Sequence, residues 1–342
     1  MTGRRGMVRA VSGLSPVRLR LDRVGAAVGE IDPAFLDTPA LRCAPLGRAL
    51  GCSVTLKVET LNPVRSFKGR GTETVAAVAR EAGASRMVCA SAGNLGQALA
   101  YSGRRRGLDV TVVAATTANP LKLRQIAAFG ADIRLDGEDI EDARLVAREI
   151  ARADRAYLVE DSLNLATCEG AGTIGLELVR DDPKLDLVLV AVGGGAMASG
   201  VGYVVRSLAE HVEVIGIQPV GAPAMALSWR QRSVVETDRI ETIADGVAGR
   251  CPIPEALDDL LVVLNDVMLV REDSIKVGMR MLYEHAGLVV EPSAALGVAA
   301  VLEEPDRFAG RRVTTILCGS NVGPADFARW VLEPVARQGR VG

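Results

Sequence analysis

Leu187-Val188-Leu189-Val190-Ala191-Val192-Gly193-Gly194-Gly195-Ala196-Met197-Ala198-Ser199-Gly200 is the stretch that decides the fold. An uninterrupted apolar run reads as a strand buried on both faces of a parallel sheet. Three glycines follow, and then a run that a helix accepts. Strand, glycines and helix in that order gather free backbone N–H groups at a helix N-terminus, which favours an anion over a plain turn. No Gly-Lys-Ser/Thr follows, so the loop is not a Walker A. As a dinucleotide fingerprint it fits only as Gly-x-Gly-x-x-Ala. The next strand, Val212–Gln218, ends at Gln218-Pro219, with no carboxylate for a ribose hydroxyl. The loop therefore reads as a monophosphate cradle.

Working outward, the same rhythm covers the chain. Strands are predicted at Val54–Val58, Met87–Ala90, Val110–Ala114, Ala131–Leu135, Tyr157–Val159 and Val313–Cys318. Helices are predicted at Gly71–Glu81, Leu95–Arg106, Pro120–Phe129, Ile140–Ala153, Gly170–Arg180, Ala198–Ala209, Ser274–His285 and Ala294–Leu302. Short β-branched strands between amphipathic helices predict an α/β architecture, with mostly parallel twisted sheets flanked by helices. No repeat or long linker is visible. Residues 1–30 are expected to be extended or partly ordered.

Composition narrows the function. Of 342 residues, 49% are hydrophobic and 24% charged, which excludes a mostly disordered chain. A net charge of −2 and 3% aromatics argue against nucleic acid and base stacking. No 18-residue apolar run and no signal-peptide core occur, so no membrane partner is expected and a cytoplasmic location is. Six cysteines lack any CxxC pattern and only two histidines are present, so no metal site is expected and the thiols read as reduced. Only five of the 40 basic residues are lysines, which makes a lysine inside a motif conspicuous.

Parallel sheets place ligands in the loops beyond their carboxyl ends, and two more such loops stand out. Ser66-Phe67-Lys68-Gly69-Arg70-Gly71 sets a lysine among small residues at a strand end, where a desolvated amine becomes nucleophilic. By itself it is also a surface lysine near a helix start. Ser91-Ala92-Gly93-Asn94-Leu95-Gly96 lets backbone N–H groups approach a carboxylate, and by itself is also an ordinary helix cap. Lys57 lies inside an apolar strand and is expected to be structural.

A phosphate cradle, a nucleophilic lysine and a carboxylate cradle together suggest pyridoxal phosphate. Six segments between Thr38 and Gly323, in order, resemble the tryptophan-synthase-β-like, fold type II family of pyridoxal-phosphate enzymes, closest to the serine/threonine dehydratases. They are Asn62–Gly71, Ser91–Leu95, Gly193–Met197, Thr242–Gly246, Glu291–Ala294 and Cys318–Asn321. The resemblance implies a two-domain enzyme, with residues 1–85 and 164–342 as the large cofactor-binding domain and 86–163 as a small mobile one, commonly a homodimer. It implies that Lys68 forms the Schiff base and later acts as base at the substrate Cα. Cofactor contacts would come from Phe67, Lys68, Asn94, Gly193, Gly194, Gly195, Ala196, Met197, Gly246, Glu291 and Cys318. Ser91, Ala92, Gly93, Asn94 and Leu95 would hold the carboxylate of an amino-acid substrate. The activity implied is β-elimination from an L-β-hydroxy amino acid such as threonine or serine, giving a 2-oxo acid and ammonia.

Several positions depart from the family pattern. Cys318 stands where a Ser or Thr hydroxyl usually faces the pyridine nitrogen, with Ser320 as a substitute two residues on. Neither is a carboxylate, so the ring nitrogen is expected to stay unprotonated, which favours rapid expulsion of a β-substituent. Ala92 replaces the second serine that racemases use as a base. Leu95 replaces the usual dehydratase histidine, which implies a less polar site or a bulkier, more apolar substrate. The Gln218–Pro223 segment lacks the acids of the racemases' metal site. The carboxylate and phosphate loops both differ from those of cysteine synthases. Little sequence follows the last motif, so the regulatory domain of biosynthetic threonine dehydratases is expected to be absent. The alternatives are a β-replacement enzyme, an inert cofactor-binding module and a nucleotide-binding oxidoreductase.

Overall fold

The computed structural model describes residues 17–333. Two sheets organise it. The strands of the larger sheet are β1 (Ala40–Arg42), β2 (Ser53–Val58), β7 (Leu187–Ala191), β8 (Glu213–Pro219), β9 (Asp266–Val270) and β10 (Arg312–Leu317). Their order is β1-β2-β10-β7-β8-β9. Only β1 runs antiparallel to its neighbour. The smaller sheet takes β3 (Arg86–Ala90), β4 (Asp109–Ala114), β5 (Asp132–Leu135) and β6 (Tyr157–Leu158) in the order β5-β4-β3-β6, all parallel. The quoted apolar run is β7, buried at every residue in the middle of the larger sheet.

The crossover helices that matter are α1 (Leu21–Glu30), α2 (Ala44–Leu50), α3 (Lys68–Glu81), α4 (Asn94–Arg106), α5 (Pro120–Ala128), α6 (Ile140–Ala153), α7 (Leu165–Asp181) and α8 (Ala196–Leu208). Helix α3 joins the two halves: its Val75, Ala76 and Ala79 pack into the core beneath the smaller sheet with Met87, Leu99 and Val112. Its other side presses on α7 so closely that a Cβ on Gly71 would lie 2.6 Å from the Thr167 carbonyl oxygen. One on Gly170 would lie 2.4 Å from the Arg70 carbonyl oxygen.

Boundaries of the predicted elements shift by a few residues, with larger differences in three places, and β1, α2 and β9 have no predicted counterpart. Residues 21–30, expected extended or partly ordered, form α1; the rest of that expectation, residues 1–16, lies outside the described residues. The helix forms because Val24 and Ala27 make a narrow apolar stripe, with Val24 packed on α7 and Ala27 in a cluster with Ile31, Phe35, Val64 and Ala98. Its arginine-rich surroundings hide that stripe in the sequence. Helix α7 starts at Leu165, five residues before the predicted Gly170. The predicted helix from Ala294 opens instead with a 3₁₀ turn at Pro292–Ala295.

A fully buried ion cluster lies under the start of α3. Arg70 donates to Glu59 at 2.8 Å and to Glu177 at 2.6 Å, and all three side chains are 6% exposed or less. Lys57, likewise buried, donates to Glu177 and to the Thr38 carbonyl, which is the structural role expected of it. Burial opposes charge on Glu177, yet hydrogen bonds and charge from Arg70 and Lys57 win and hold its carboxyl down at about 2. Arg70→Met would leave two carboxylates buried without their principal partner. Breaking a buried pair this way costs about 3–5 kcal/mol. We expect a loss of that size in urea unfolding followed by circular dichroism; a change below about 1 kcal/mol would contradict the cluster's role.

Candidate active site

Three neighbouring strands of the larger sheet, β2, β10 and β7, end side by side. The loop after β2 leads to Lys68, the residue after β10 is Cys318, and the loop after β7 is Gly193–Gly195. From the smaller sheet, β3 delivers Ser91–Leu95. All four converge on one cavity of about 410 Å³. Every residue proposed from the sequence lines it: Phe67, Lys68, Ser91, Ala92, Gly93, Asn94, Leu95, Gly193, Gly194, Gly195, Ala196, Met197, Gly246, Glu291 and Cys318. The alternative partner Ser320 is not on its wall.

Lys68 opens α3, with its side chain 16% exposed. Its Nζ lies 4.7 Å from the centroid of the Phe67 ring and donates to Asp161 Oδ2. Sequence reasoning missed Asp161. The rule that ligands sit beyond strand ends pointed to it, since it comes shortly after β6, but no glycine or lysine marks the segment. Lys122, Arg144, Gln218 and Asp245 also line the cavity, and Lys122 pairs with Asp245 across its mouth.

Asn94 is held from both ends. Its Nδ2 donates to Glu291 Oε1 at 2.9 Å and Oε2 at 3.1 Å, while its Oδ1 accepts from Asn321 Nδ2 at 2.8 Å. The Asn321 backbone N–H closes the ring on Glu291 Oε2 at 3.1 Å. Gly319 is required here, because a Cβ on it would lie 2.5 Å from Glu291 Oε1. Burial drives the Glu291 carboxyl up to about 7; the bonds from Asn94 pull it back, and the charge of Asp245 pushes it further up. Burial, helped by Glu291, also lifts the Cys318 thiol well above its ordinary range, so the group beside the strand end is a neutral thiol.

The residues fit pyridoxal phosphate on three counts. Gly195, with φ of 107°, turns the chain into α8, whose opening N–H groups have no intrahelical acceptors and face the cavity wall. The lysine amine stands inside the same space. Ser293, 2% exposed and on the wall, has a hydroxyl without a partner, as expected of a group awaiting a ligand.

Fold and cavity together define an α/β protein whose strand-end cavity brings a glycine loop and a lysine amine into one space. The profile of the family described as "Pyridoxal-phosphate dependent enzyme" matches residues 31–319, and the chain belongs to that family. It is 30% identical over 309 residues to a biosynthetic L-threonine dehydratase of Halalkalibacterium halodurans, covering 89% of this chain and 74% of that protein. It is 31% identical over 296 residues to an L-threonine ammonia-lyase of Thermotoga maritima, covering 86% and 74%. Among solved structures, maize serine racemase superposes with a TM-score of 0.85 at 25% identity, covering 90% of this chain and 95% of that one. The processed form of threonine deaminase isoform 2 from Solanum lycopersicum superposes at 0.83 and 26%, covering 92% and 89%. The fold is fold type II, and the cofactor of the family is pyridoxal phosphate.

Glu291 makes the site sensitive to pH. Its folded carboxyl holds a proton up to about 7, against 4.5 for the free group, so the folded state binds that proton more tightly. The resulting stability is full below about pH 4.5 and is lost as the pH rises through about 7. Glu291→Gln is expected to flatten this part of the Tm-against-pH curve. Parallel curves for the two proteins across that window would contradict it.

Proposed function

We propose that this protein catalyses β-elimination from an L-β-hydroxy amino acid such as threonine or serine, releasing a 2-oxo acid and ammonia. One observation carries the reading: the amine of Lys68, the glycine loop after β7 and the carboxylate loop after β3 share one cavity. The names of the relatives, threonine dehydratase and threonine ammonia-lyase, support the same class of reaction.

Pyridoxal phosphate, when bound, supplies the electron sink that lets the substrate's Cα–H bond break. Lys68 would hold the cofactor through Nζ. Nζ then takes the Cα proton, a base role worth about 10²–10⁴-fold in rate. Asp161, against Nζ, stabilises the positive charge that the amine gains. Gly193, Gly194, Gly195, Ala196 and Met197 bind the phosphate at the start of α8. Ser91, Ala92, Gly93 and Leu95 hold the substrate carboxylate at the start of α4. Asn94, oriented by Glu291 and Asn321, lines the cavity beside the cofactor. Phe67 packs beside the cofactor, Gly246 and Glu291 shape the far wall, and Cys318 offers the ring nitrogen a neutral thiol in place of a carboxylate. Ala92 carries no proton-accepting group on the opposite face, which favours elimination over racemisation. The β-hydroxyl leaves as water, and hydrolysis of the product returns that water and frees ammonia.

In this reading residues 86–163 move as a unit that closes over the substrate, carrying the Ser91–Leu95 loop. Two ion pairs span the mouth: Lys122 with Asp245, and Arg250 with Asp139 at 3.3 Å. The protein works as a homodimer in the cytoplasm, and its six free thiols suit a reducing compartment.

Lys68→Ala is expected to reduce 2-oxo acid release to background. It should also abolish the borohydride-stable cofactor adduct on the Lys68 peptide by mass spectrometry. An adduct at another lysine of the active wild-type protein would overturn the assignment. Crystals grown with and without a bound amino acid should differ in the orientation of residues 86–163 relative to the larger sheet, and identical orientations would remove the closure.

A further inference from the structure

Behind Leu95 lies a second cavity of about 300 Å³. It shares Ala90, Leu95, Pro252 and Ile253 with the first, together with Arg144, Cys251 and Asp161. The shared wall is therefore mainly an apolar collar, bounded on one side by the carboxylate loop that ends at Leu95. On the other side is Asp161, the residue in contact with the lysine amine. The collar thus adjoins both the loop assigned to the substrate carboxylate and the residue that touches the lysine amine. Beyond it, the apolar surface is formed by Ala147, Leu158, Val159, Leu163 and Pro254, with Glu141, Arg148, Glu160 and Glu255 as charged members of the same wall. The two arginines of the second cavity are already matched: Arg144 donates to Glu141 at 2.6 Å, and Arg148 to Glu160 at 2.6 Å. The space thus joins apolar surface to paired charges and the acid Glu255, which suits neither an anionic tail nor a methyl group alone. A first cavity of about 410 Å³ must already take the cofactor and the amino-acid backbone, so the second volume is surplus to threonine.

We propose that the substrate's side chain passes Leu95 into this second cavity, so that the site selects β-hydroxy amino acids with a branched apolar side chain larger than threonine's. The inference deepens the elimination reading and rests on it for the orientation of the substrate. Leu95 and Ile253 are then the specificity-determining residues at the collar, and the second cavity is the side-chain subsite. A methylene in an apolar pocket is worth about 10–200-fold in discrimination. The expected advantage of a leucine-like side chain over a methyl is therefore at least about tenfold.

The test uses the full chain loaded with pyridoxal phosphate. Unreactive L-leucine and L-alanine are titrated while the absorbance of the bound cofactor is followed, and 2-oxo acid release is measured from 3-hydroxyleucine, threonine and serine. Leucine should bind at least about tenfold more tightly than alanine, and 3-hydroxyleucine should exceed threonine in kcat/KM by a similar factor. Two variants fill the second cavity from different sides, Ala147→Leu in a buried wall and Leu163→Trp in a half-exposed one. Each should shrink the preference for leucine by about tenfold. Leucine binding no tighter than alanine overturns the inference whatever is turned over, as does a preference that survives both folded variants. Preferential leucine binding without 2-oxo acid release from any hydroxy amino acid supports the subsite and overturns the elimination reading instead.

Discussion

The buried pairing of Arg70 with Glu59 and Glu177 is the constraint on which the site depends. Arg70 stands two residues after Lys68, in the first turn of α3. Its guanidinium ties that turn to Glu59, just past β2, and to Glu177 on α7. Three charges far from water hold their positions only where their geometry satisfies one another, because each desolvated group costs several kcal/mol if left alone. The lysine amine therefore projects from a turn whose place relative to the sheet is fixed. Lys57 adds a second cation to Glu177, which explains why a lysine sits in the interior of an apolar strand without taking part in the chemistry.

From that anchor, the sheet order does the rest. Because β10 lies between β2 and β7, the lysine loop, the Cys318 strand end and the phosphate loop open at one edge of the larger sheet. The smaller sheet contributes the loop at Ser91–Leu95, the wall around α5 and α6, and Asp161 after β6. The two ion pairs across the mouth are partly exposed, and pairs of that kind contribute little to stability.

Charge beside the strand end is kept low. Glu291 is buried against Gly319, and the amide of Asn94 and the backbone of Asn321 satisfy it. Its carboxyl is held near neutrality, and the Cys318 thiol beside it stays protonated.

The sequence by itself determined the alternation of strand and helix, the cradle after β7 and the two loops at Lys68 and Ser91–Leu95. These are local features: apolar runs, glycines that free backbone N–H groups, and a lysine that is rare in this chain. It also marked Leu95 as unusual. It left α1 hidden, because a two-residue stripe among arginines has too little periodicity to read. It gave no sign of Asp161, of the Asn94–Glu291–Asn321 ring or of the second cavity. Each of those joins residues from distant segments, separated by 93 positions for Lys68 and Asp161 and by 197 for Asn94 and Glu291. Such contacts are decided by strand order and by the packing of α3 on α7, and a pattern along one chain carries no information about either until the sheets have formed.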